Sequence, residues 1–320
     1  MKQYERFFTT ENGIFLRYLL THALPVTYLR TILVVTGPTA AGKTDFALRI
    51  AEADPLVEII NADAFLLYRG FDIGTAKPDK DTLSRIPHHL IDFLDPHDHF
   101  SAAEYSRLGR EAIRDIMSRG KTPIVVGGTG LYIDALFDGI ISVEPLNGKL
   151  DAARDRTRSE IEEYGFEEMH QRLRGVDPVL FDQILREMNP IRLQRAWEHF
   201  YATGEPLGVA RERKPEPFEY EPEFHVIDHP RPEIWHRIEV RVDRMIARGW
   251  PIEAERLMRR GVTREAYGMR AIGYREMFDV VEGLLSLQEA RERIVIRTRQ
   301  YAKRQVTWMK KYRQIEPVLA

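Results

Sequence analysis

Residues 31–44 read Thr-Ile-Leu-Val-Val-Thr-Gly-Pro-Thr-Ala-Ala-Gly-Lys-Thr. The β-branched and aliphatic run predicts a buried strand, and the apolar spacing of Phe46, Ala47, Ile50 and Ala51 predicts a helix opening at Lys43. Between them lies Gly-x-x-x-x-Gly-Lys-Thr, in the strand–loop–helix setting that a phosphate-binding loop requires. Gly37, Pro38, Thr39, Ala40, Ala41 and Gly42 form the loop, whose glycines let backbone N–H groups turn inward around an anion. The helix N-terminus adds partial positive charge, Lys43 a full one, and the Thr44 hydroxyl stands where it can hold a Mg²⁺ ion shared with the phosphates. The alternative, a glycine turn without a ligand, leaves the lysine and threonine unexplained.

The chain has 320 residues, enough for two domains or for one large domain with an insertion. Hydrophobic content of 43% and charged content of 30% are those of an ordinary globular protein. It has no cysteine, which excludes disulfides, thiolate zinc sites and cysteine nucleophiles and suits a reducing cytoplasm. No apolar run approaches the roughly 18 residues of a membrane span. Residues 1–30 read as a poorly specified extension; Arg17 and His22 interrupt their apolar part, so it is not a secretory signal.

Net charge is only −2, but it is unevenly spread. Between Arg291 and Arg313 nine basic residues face the single acid Glu292 on a segment patterned as a helix, close to Tyr301 and Trp308. Solvated helix faces usually mix signs, so an unmixed basic face favours a phosphate-backbone partner.

Strands are expected at 57–61 and 122–126, with a helix at 102–119 that Ser101 and Glu104 start as a capping box. Strands alternating with helices imply a parallel sheet whose ligands sit at the carboxyl ends of its strands. Asp63 and Thr129 lie just past two such ends, as the phosphate loop does past a third. Residues 139–188 read as a charged, strandless helical insertion, broken at Pro178. An amphipathic helix at 192–201 then returns to the core, 214–222 is a linker, 224–228 a further strand, and the rest helical. The expected fold is α/β: a P-loop, nucleotide-kinase-like parallel sheet built from 31–138 and 189–320, with a helical insertion and a helical C-terminal region.

Asp63 could hold Mg²⁺, act as a general base, or merely cap a helix before Phe65. Thr129, between Gly128 and Gly130, could donate to a phosphate oxygen, cap the following helix, or do both. The stretch Pro87-His88-His89-Leu90-Ile91-Asp92, followed by Asp95, His97, Asp98 and His99, invites a transition-metal reading. It lacks a helical ligand pair and is interrupted by prolines, so an ordered surface loop is the better reading. Arg237 and Arg241 are one helical turn apart and could reach a common anion or simply share a solvated face.

Eight ordered motifs resemble those of the tRNA dimethylallyltransferases, the bacterial isopentenyl-tRNA transferases, over about residues 31–312. They are Gly-Pro-Thr-Ala-Ala-Gly-Lys-Thr (37–44), Asn-Ala-Asp (61–63), Asp-Ile-Gly-Thr-Ala-Lys-Pro (72–78), Pro-His-His-Leu-Ile-Asp (87–92) and Gly-Gly-Thr-Gly-Leu-Tyr (127–132). Arg-Leu-Gln-Arg-Ala (192–196), Arg-Ala-Ile-Gly-Tyr (270–274) and Thr-Arg-Gln-Tyr-Ala-Lys-Arg-Gln-Val-Thr-Trp (298–308) complete the set. The resemblance implies transfer of a dimethylallyl group from its diphosphate to N6 of the adenosine immediately 3′ of the anticodon. On this reading residues 37–44 hold the diphosphate leaving group, with Mg²⁺ on Thr44. Asp63 matches the family's general base, Thr129 a residue bridging the reaction centre and the diphosphate, and one of Arg237 and Arg241, preferably Arg241, a diphosphate-binding arginine.

The adenine must leave its stack to react, and the family places it in a channel between the core and the insertion. Positions matching the family's contacts to the tRNA anticodon stem-loop are Asp63-Ala64-Phe65-Leu66, Thr129, Arg154, and Ile191-Arg192-Leu193-Gln194-Arg195. Arg270-Ala271-Ile272-Gly273-Tyr274-Arg275 and Lys303-Arg304-Gln305-Val306-Thr307-Trp308-Met309-Lys310 complete them. Many members have Asp-Ser-Met-Gln at 63–66; here an apolar Leu66 replaces a glutamine able to read a base edge. The implied protein is a cytoplasmic monomer acting on tRNA and dimethylallyl diphosphate, with no membrane partner. Its competitors are a small-molecule kinase sharing loop and sheet, an enzyme prenylating free AMP, and an RNA-binding switch that uses the loop as a sensor.

Overall fold

The computed structural model describes residues 31–140, 149–187, 189–213 and 218–312. Strands β1 (Thr31–Thr36), β2 (Val57–Asn61), β3 (His88–His89), β4 (Thr122–Val126) and β5 (Glu221–Val226) form one parallel sheet in the order β3-β2-β4-β1-β5. Helices α1 (Lys43–Ala53), α2 (Lys80–Arg85), α3 (Ala102–Ser118) and α4 (Gly130–Phe137) fall between β1 and the second unit. That unit holds α5 (Lys149–Val176), α6 (Pro178–Glu187), α7 (Pro190–Thr203) and α8 (Leu207–Glu212). After β5 come α9 (Arg231–Ala247), α10 (Trp250–Arg259), α11 (Tyr274–Val281) and α12 (Leu287–Met309).

The expected strands and helices of the amino-terminal half are present. Val34, Val35, Ile60, Ile124 and Val125 are fully buried, which is why these strands read as unbroken apolar runs rather than alternating ones. α1 buries the four residues whose spacing predicted it, and α3 starts at Ser101 with both arms of the capping box made. β5 begins at Glu221, so the 214–222 linker ends earlier than expected. Pro222 is tolerated because β5 lies at the sheet edge.

The domain boundary differs from the expectation. A compact unit of its own runs from Gly139 to Pro217, so α7 and α8 belong with the insertion and not with the sheet. The cause is apolar: Leu193, Ala196 and Trp197 of α7 and Leu207 of α8 join Met169, Leu173, Leu180 and Ile184 in a separate core. The Trp197 indole N–H donates to the Met169 carbonyl at 3.0 Å. Residues 1–30 and 214–217, and Arg313, lie outside the described residues.

The motifs at 72–78 and 87–92 meet in a structural lock. Lys77, almost wholly buried, donates to Asp72 (2.7 Å), Asp92 (2.6 Å) and the Tyr68 carbonyl (2.7 Å). A buried cation needs such partners, although half-exposed Asp72 and Asp92 keep some water and weaken the lock. Lys77→Met is expected to cost about 2 kcal/mol, seen as a lower urea midpoint at unchanged slope. An unchanged midpoint would contradict this account of the turn.

Candidate functional site

Three loops leave the carboxyl ends of β1, β2 and β4 and are bonded to one another. The Thr36 hydroxyl donates to the Gly127 carbonyl (2.9 Å), and Ala62 N–H donates to Val126 (2.8 Å). Thr129 N–H donates to Ala62 (3.1 Å), and Ala64 N–H donates to the Thr129 hydroxyl (3.0 Å). Thr129 therefore stands at the N-cap of α4, but its side chain does not cap that helix; it fastens the loop bearing Asp63. Asn61 completes the frame, accepting from Asp63 N–H and donating to the carbonyls of Asp63 and Leu90.

Asp63 uses one carboxylate oxygen, Oδ1, to accept from Phe65 N–H at 3.0 Å in a turn, and no helix follows there. Its other oxygen has no hydrogen-bond partner among the described residues, and Asp63 lines two adjoining cavities. A carboxylate pinned by one oxygen and open at the other is arranged to accept a proton or bind a cation.

The larger cavity, about 690 Å³, is walled by Thr39, Ala40, Gly42, Lys43, Thr44 and Asp45 on one side and by α9 on another. Gly42 has φ 98°, a left-handed conformation that lets the loop turn into α1. Gly37, Pro38 and Ala41 form the loop's underside and do not line the cavity: Ala41 is buried, and His229 contacts its carbonyl at 3.0 Å. The Lys43 ammonium donates to the carbonyls of Gly37 (3.0 Å) and Pro38 (2.9 Å), leaving one of its three N–H bonds for a ligand. Burial pulls the Lys43 pKa down to about 8; the Asp63 carboxylate opposes this and the Arg241 cation adds to it.

The two arginines differ in their partners. Arg237 is half-exposed and neutralised by Glu233 at 2.8 Å. Among the described residues Arg241 donates only to the Thr75 carbonyl (3.3 Å), and burial works against its charge while Asp63 and Asp45 support it. A desolvated guanidinium retaining free donors is the stronger anion binder of the two.

The smaller cavity, about 320 Å³, shares Thr39, Asp63, Thr75, Arg241 and Met245 with the larger. Phe65, Ile238, Trp250 and Ile272 give it apolar surface, and Arg270, Gln300, Tyr301 and Arg304 polar groups. The Tyr301 phenol is pushed above its ordinary range by burial and then by the Asp63 carboxylate, with Thr129 opposing the shift. Leu66 lines the larger cavity, not the smaller.

The remaining sequence-derived positions divide. Arg270, Arg275, Lys303, Arg304, Thr307 and Lys310 are exposed, while Ala64, Ile272, Val306 and Trp308 are half-buried. Ala271, Gly273, Tyr274, Gln305 and Met309 are buried, although Ala271 lines the smaller cavity and Gln305 the larger. Tyr274 instead donates to Glu253 (2.7 Å), a buried carboxylate that also accepts from the backbone at 72–74. In the second unit Ile191 and Arg195 are exposed, Gln194 bonds to Glu198 (2.8 Å) and Arg154 to Asp151 (3.2 Å). Arg192 is half-buried, and Leu193 is core.

The basic run of α12 is less unmixed than its sequence. Arg291 pairs with Asp243, Arg297 with Glu276, Arg299 with Glu239 and Lys311 with Asp134, all acids from other helices. Arg293, Lys303, Arg304 and Lys310 keep no ion-pair partner among the described residues. The histidine and aspartate stretch at 87–99 is committed to the fold: His89 bonds to Glu58 (2.7 Å), His88 to the Ile86 carbonyl (2.7 Å), and Asp92 to Lys77.

Gln305, expected as an RNA contact, and Tyr301, noted only as an aromatic beside the basic run, both line the site, a role the sequence reading did not give them. Their signal is spacing: Thr298, Tyr301, Ala302, Gln305 and Met309 share one stripe of α12, and a glutamine in a buried stripe must find partners.

A profile of the IPP transferase family matches residues 66–312. The chain is 44% identical over 288 residues to tRNA dimethylallyltransferase 1 of Pelobacter propionicus, covering 88% of this chain and 89% of that one. It is 40% identical over 291 residues to the tRNA dimethylallyltransferase of Geobacter sulfurreducens, with the same coverage. The solved tRNA isopentenylpyrophosphate transferase of Staphylococcus epidermidis superposes with TM-score 0.61 at 34% identity, over 88% of this chain and 90% of that one. A eukaryotic dimethylallyltransferase crystallised acting on tRNA gives TM-score 0.75 at 26% identity, over 91% of this chain and 73% of that one.

Proposed function

The chain belongs to the IPP transferase family of tRNA dimethylallyltransferases, and we propose that its two adjoining cavities divide the reaction, diphosphate in the larger and adenine in the smaller. It is a prenyltransferase that moves a dimethylallyl group onto tRNA. The observation that carries the division is Asp63, which lines both cavities and has one carboxylate oxygen without a hydrogen-bond partner among the described residues.

In this reading the loop cradles the diphosphate and does not act on ATP. Lys43 and Arg241 neutralise the charge that grows as the allylic C–O bond breaks. The acceptor is N6 of the adenosine immediately 3′ of the anticodon. Its lone pair is delocalised into the ring, so positioning and proton removal both matter. As the C–N bond forms, the amine's surplus proton passes to Asp63 and the diphosphate departs as the free anion. Thr129, whose hydroxyl accepts from Ala64 N–H, fixes the loop carrying that base. Leu66 offers no hydrogen bond, so adenine recognition in this chain falls to other groups.

The exposed Lys303, Arg304 and Lys310 suit the phosphates of an anticodon stem-loop. Mg²⁺ fits the donor set. Thr44 and Asp45 face the cavity, and no cage of three or more acidic or histidine ligands exists among the described residues. This suits an ion that draws its remaining oxygens from a diphosphate. Thr44 would hold it, and the bound ion would add to the neutralisation of the leaving group. The chain acts as a monomer in the cytoplasm.

Incubation with labelled dimethylallyl diphosphate and, separately, labelled ATP tests the reading. Prenyl label should enter tRNA and ATP should stay intact; ATP turnover without prenyl transfer would reject it.

A pH dependence follows from Lys43. The ammonium is the form that binds diphosphate, and in the free enzyme it is half lost at about pH 8. The kcat/KM for the donor should fall above that pH, whereas kcat should fall later, because bound diphosphate favours the protonated amine. Superimposable profiles would remove Lys43 from donor capture.

A further inference from the structure

Gln305 is 5% exposed, and both ends of its amide are bonded to backbone far away in sequence. Its Oε1 accepts from Thr39 N–H at 2.8 Å, across 266 residues, and its Nε2 donates to the Gly128 carbonyl at 2.9 Å, across 177. The partners fix the amide's orientation, since an N–H can only donate and a carbonyl only accept. Thr39 belongs to the phosphate loop and walls both cavities, while Gly128 immediately precedes Thr129. Gly128 has room for no side chain: a methyl there would overlap the Gln305 amide nitrogen. The same helix carries the exposed Lys303 and Arg304, and Lys310 follows its last residue; none of the three has an ion-pair partner among the described residues.

We propose that Gln305 is a positioning residue for the transfer reaction: its amide straps the phosphate loop to the Thr129 loop, making diphosphate binding depend on α12. The strap engages the Thr39 N–H and so sets which amides of the loop stay open to an anion. It joins the floor of the donor site to the helix that presents its cations to RNA, so force on α12 reaches Thr39 and Gly128 directly. The proposal rests on the reading that the diphosphate binds at this loop. It differs from the resemblance-based expectation, in which Gln305 is itself an RNA contact.

The test compares wild type, Gln305→Met, Gln305→Glu, Gly128→Ala and Lys43→Met for affinity to inorganic pyrophosphate, affinity to tRNA, and KM and kcat with dimethylallyl diphosphate. Gln305→Met should weaken pyrophosphate binding and raise the donor KM by about tenfold each, with tRNA affinity kept within about twofold. Gln305→Glu retains an acceptor for Thr39 N–H but no donor for Gly128, and should fall between. Gly128→Ala displaces the amide and should behave as Gln305→Met does, which keeps the test alive if Gln305→Met fails to fold. Weaker tRNA binding with unchanged pyrophosphate affinity would make Gln305 an RNA contact and overturn the proposal. Should Lys43→Met weaken pyrophosphate binding while none of the strap variants does, the strap alone falls. Should Lys43→Met also leave it unchanged, the diphosphate is held elsewhere and both readings fall.

Discussion

Lys43→Met should slow prenyl transfer by about 10²–10³-fold, the loss typical when one preorganised electrostatic donor is removed from a charge-developing site. The side chain is placed for that role. Two of its N–H bonds go to Gly37 and Pro38 and fix it over the loop, and one remains for the ligand. Burial has already made its charge costly, so an arriving diphosphate recovers an interaction that water no longer supplies. Methionine keeps most of the volume and loses the charge together with the two bonds that shape the loop. The expected signature is a lower single-turnover rate and weaker pyrophosphate binding, with tRNA affinity unchanged. A variant that binds donor normally and loses less than about tenfold in rate would show that the loop is architecture only.

Asp63→Ala should cost at least about 10²-fold in rate while leaving RNA binding largely intact. Alanine removes the Phe65 N–H acceptor as well as the base, so Asp63→Asn is the sharper companion. Asparagine keeps an oxygen for Phe65 N–H and lacks the basicity. If proton transfer is what matters, both variants fall by similar factors. If Asp63 serves only to hold the turn, Asp63→Asn retains most of the rate. An RNA-binding switch would be indifferent to both substitutions. The Lys43 and Asp63 losses are not expected to add, because both act on one transition state.

The reach of the sequence reading was set by whether a feature is local. The three loop ends were legible because each follows a short apolar strand, and parallel strands put their carboxyl ends on one edge. α3 was legible to within a residue because Ser101 and Glu104 carry its start signal locally. What the sequence did not display were features decided by distant partners. The basic run on α12 meets its neutralising acids in Asp134, Glu239, Asp243 and Glu276, none of them nearby in sequence. Tyr274 and Leu193 sit inside motifs that resemble RNA contacts, yet one is tied to Glu253 and the other packs beside Trp197. The boundary after 188 was misplaced because an amphipathic helix does not say which core its apolar face joins. The difference between Arg237 and Arg241 lies in Glu233, one turn back on the same helix and so legible from local spacing.

In the proposed reaction one carboxylate serves two cavities, taking a proton from an adenine while the phosphate loop holds the departing diphosphate. Mass spectrometry of tRNA nucleosides after incubation with dimethylallyl diphosphate and Mg²⁺ tests it most directly. The account predicts an N6-dimethylallyl adenosine immediately 3′ of the anticodon with wild-type enzyme, and its near absence with Asp63→Ala under the same conditions. Undiminished product from Asp63→Ala, or a prenyl group on another base or atom, would contradict it.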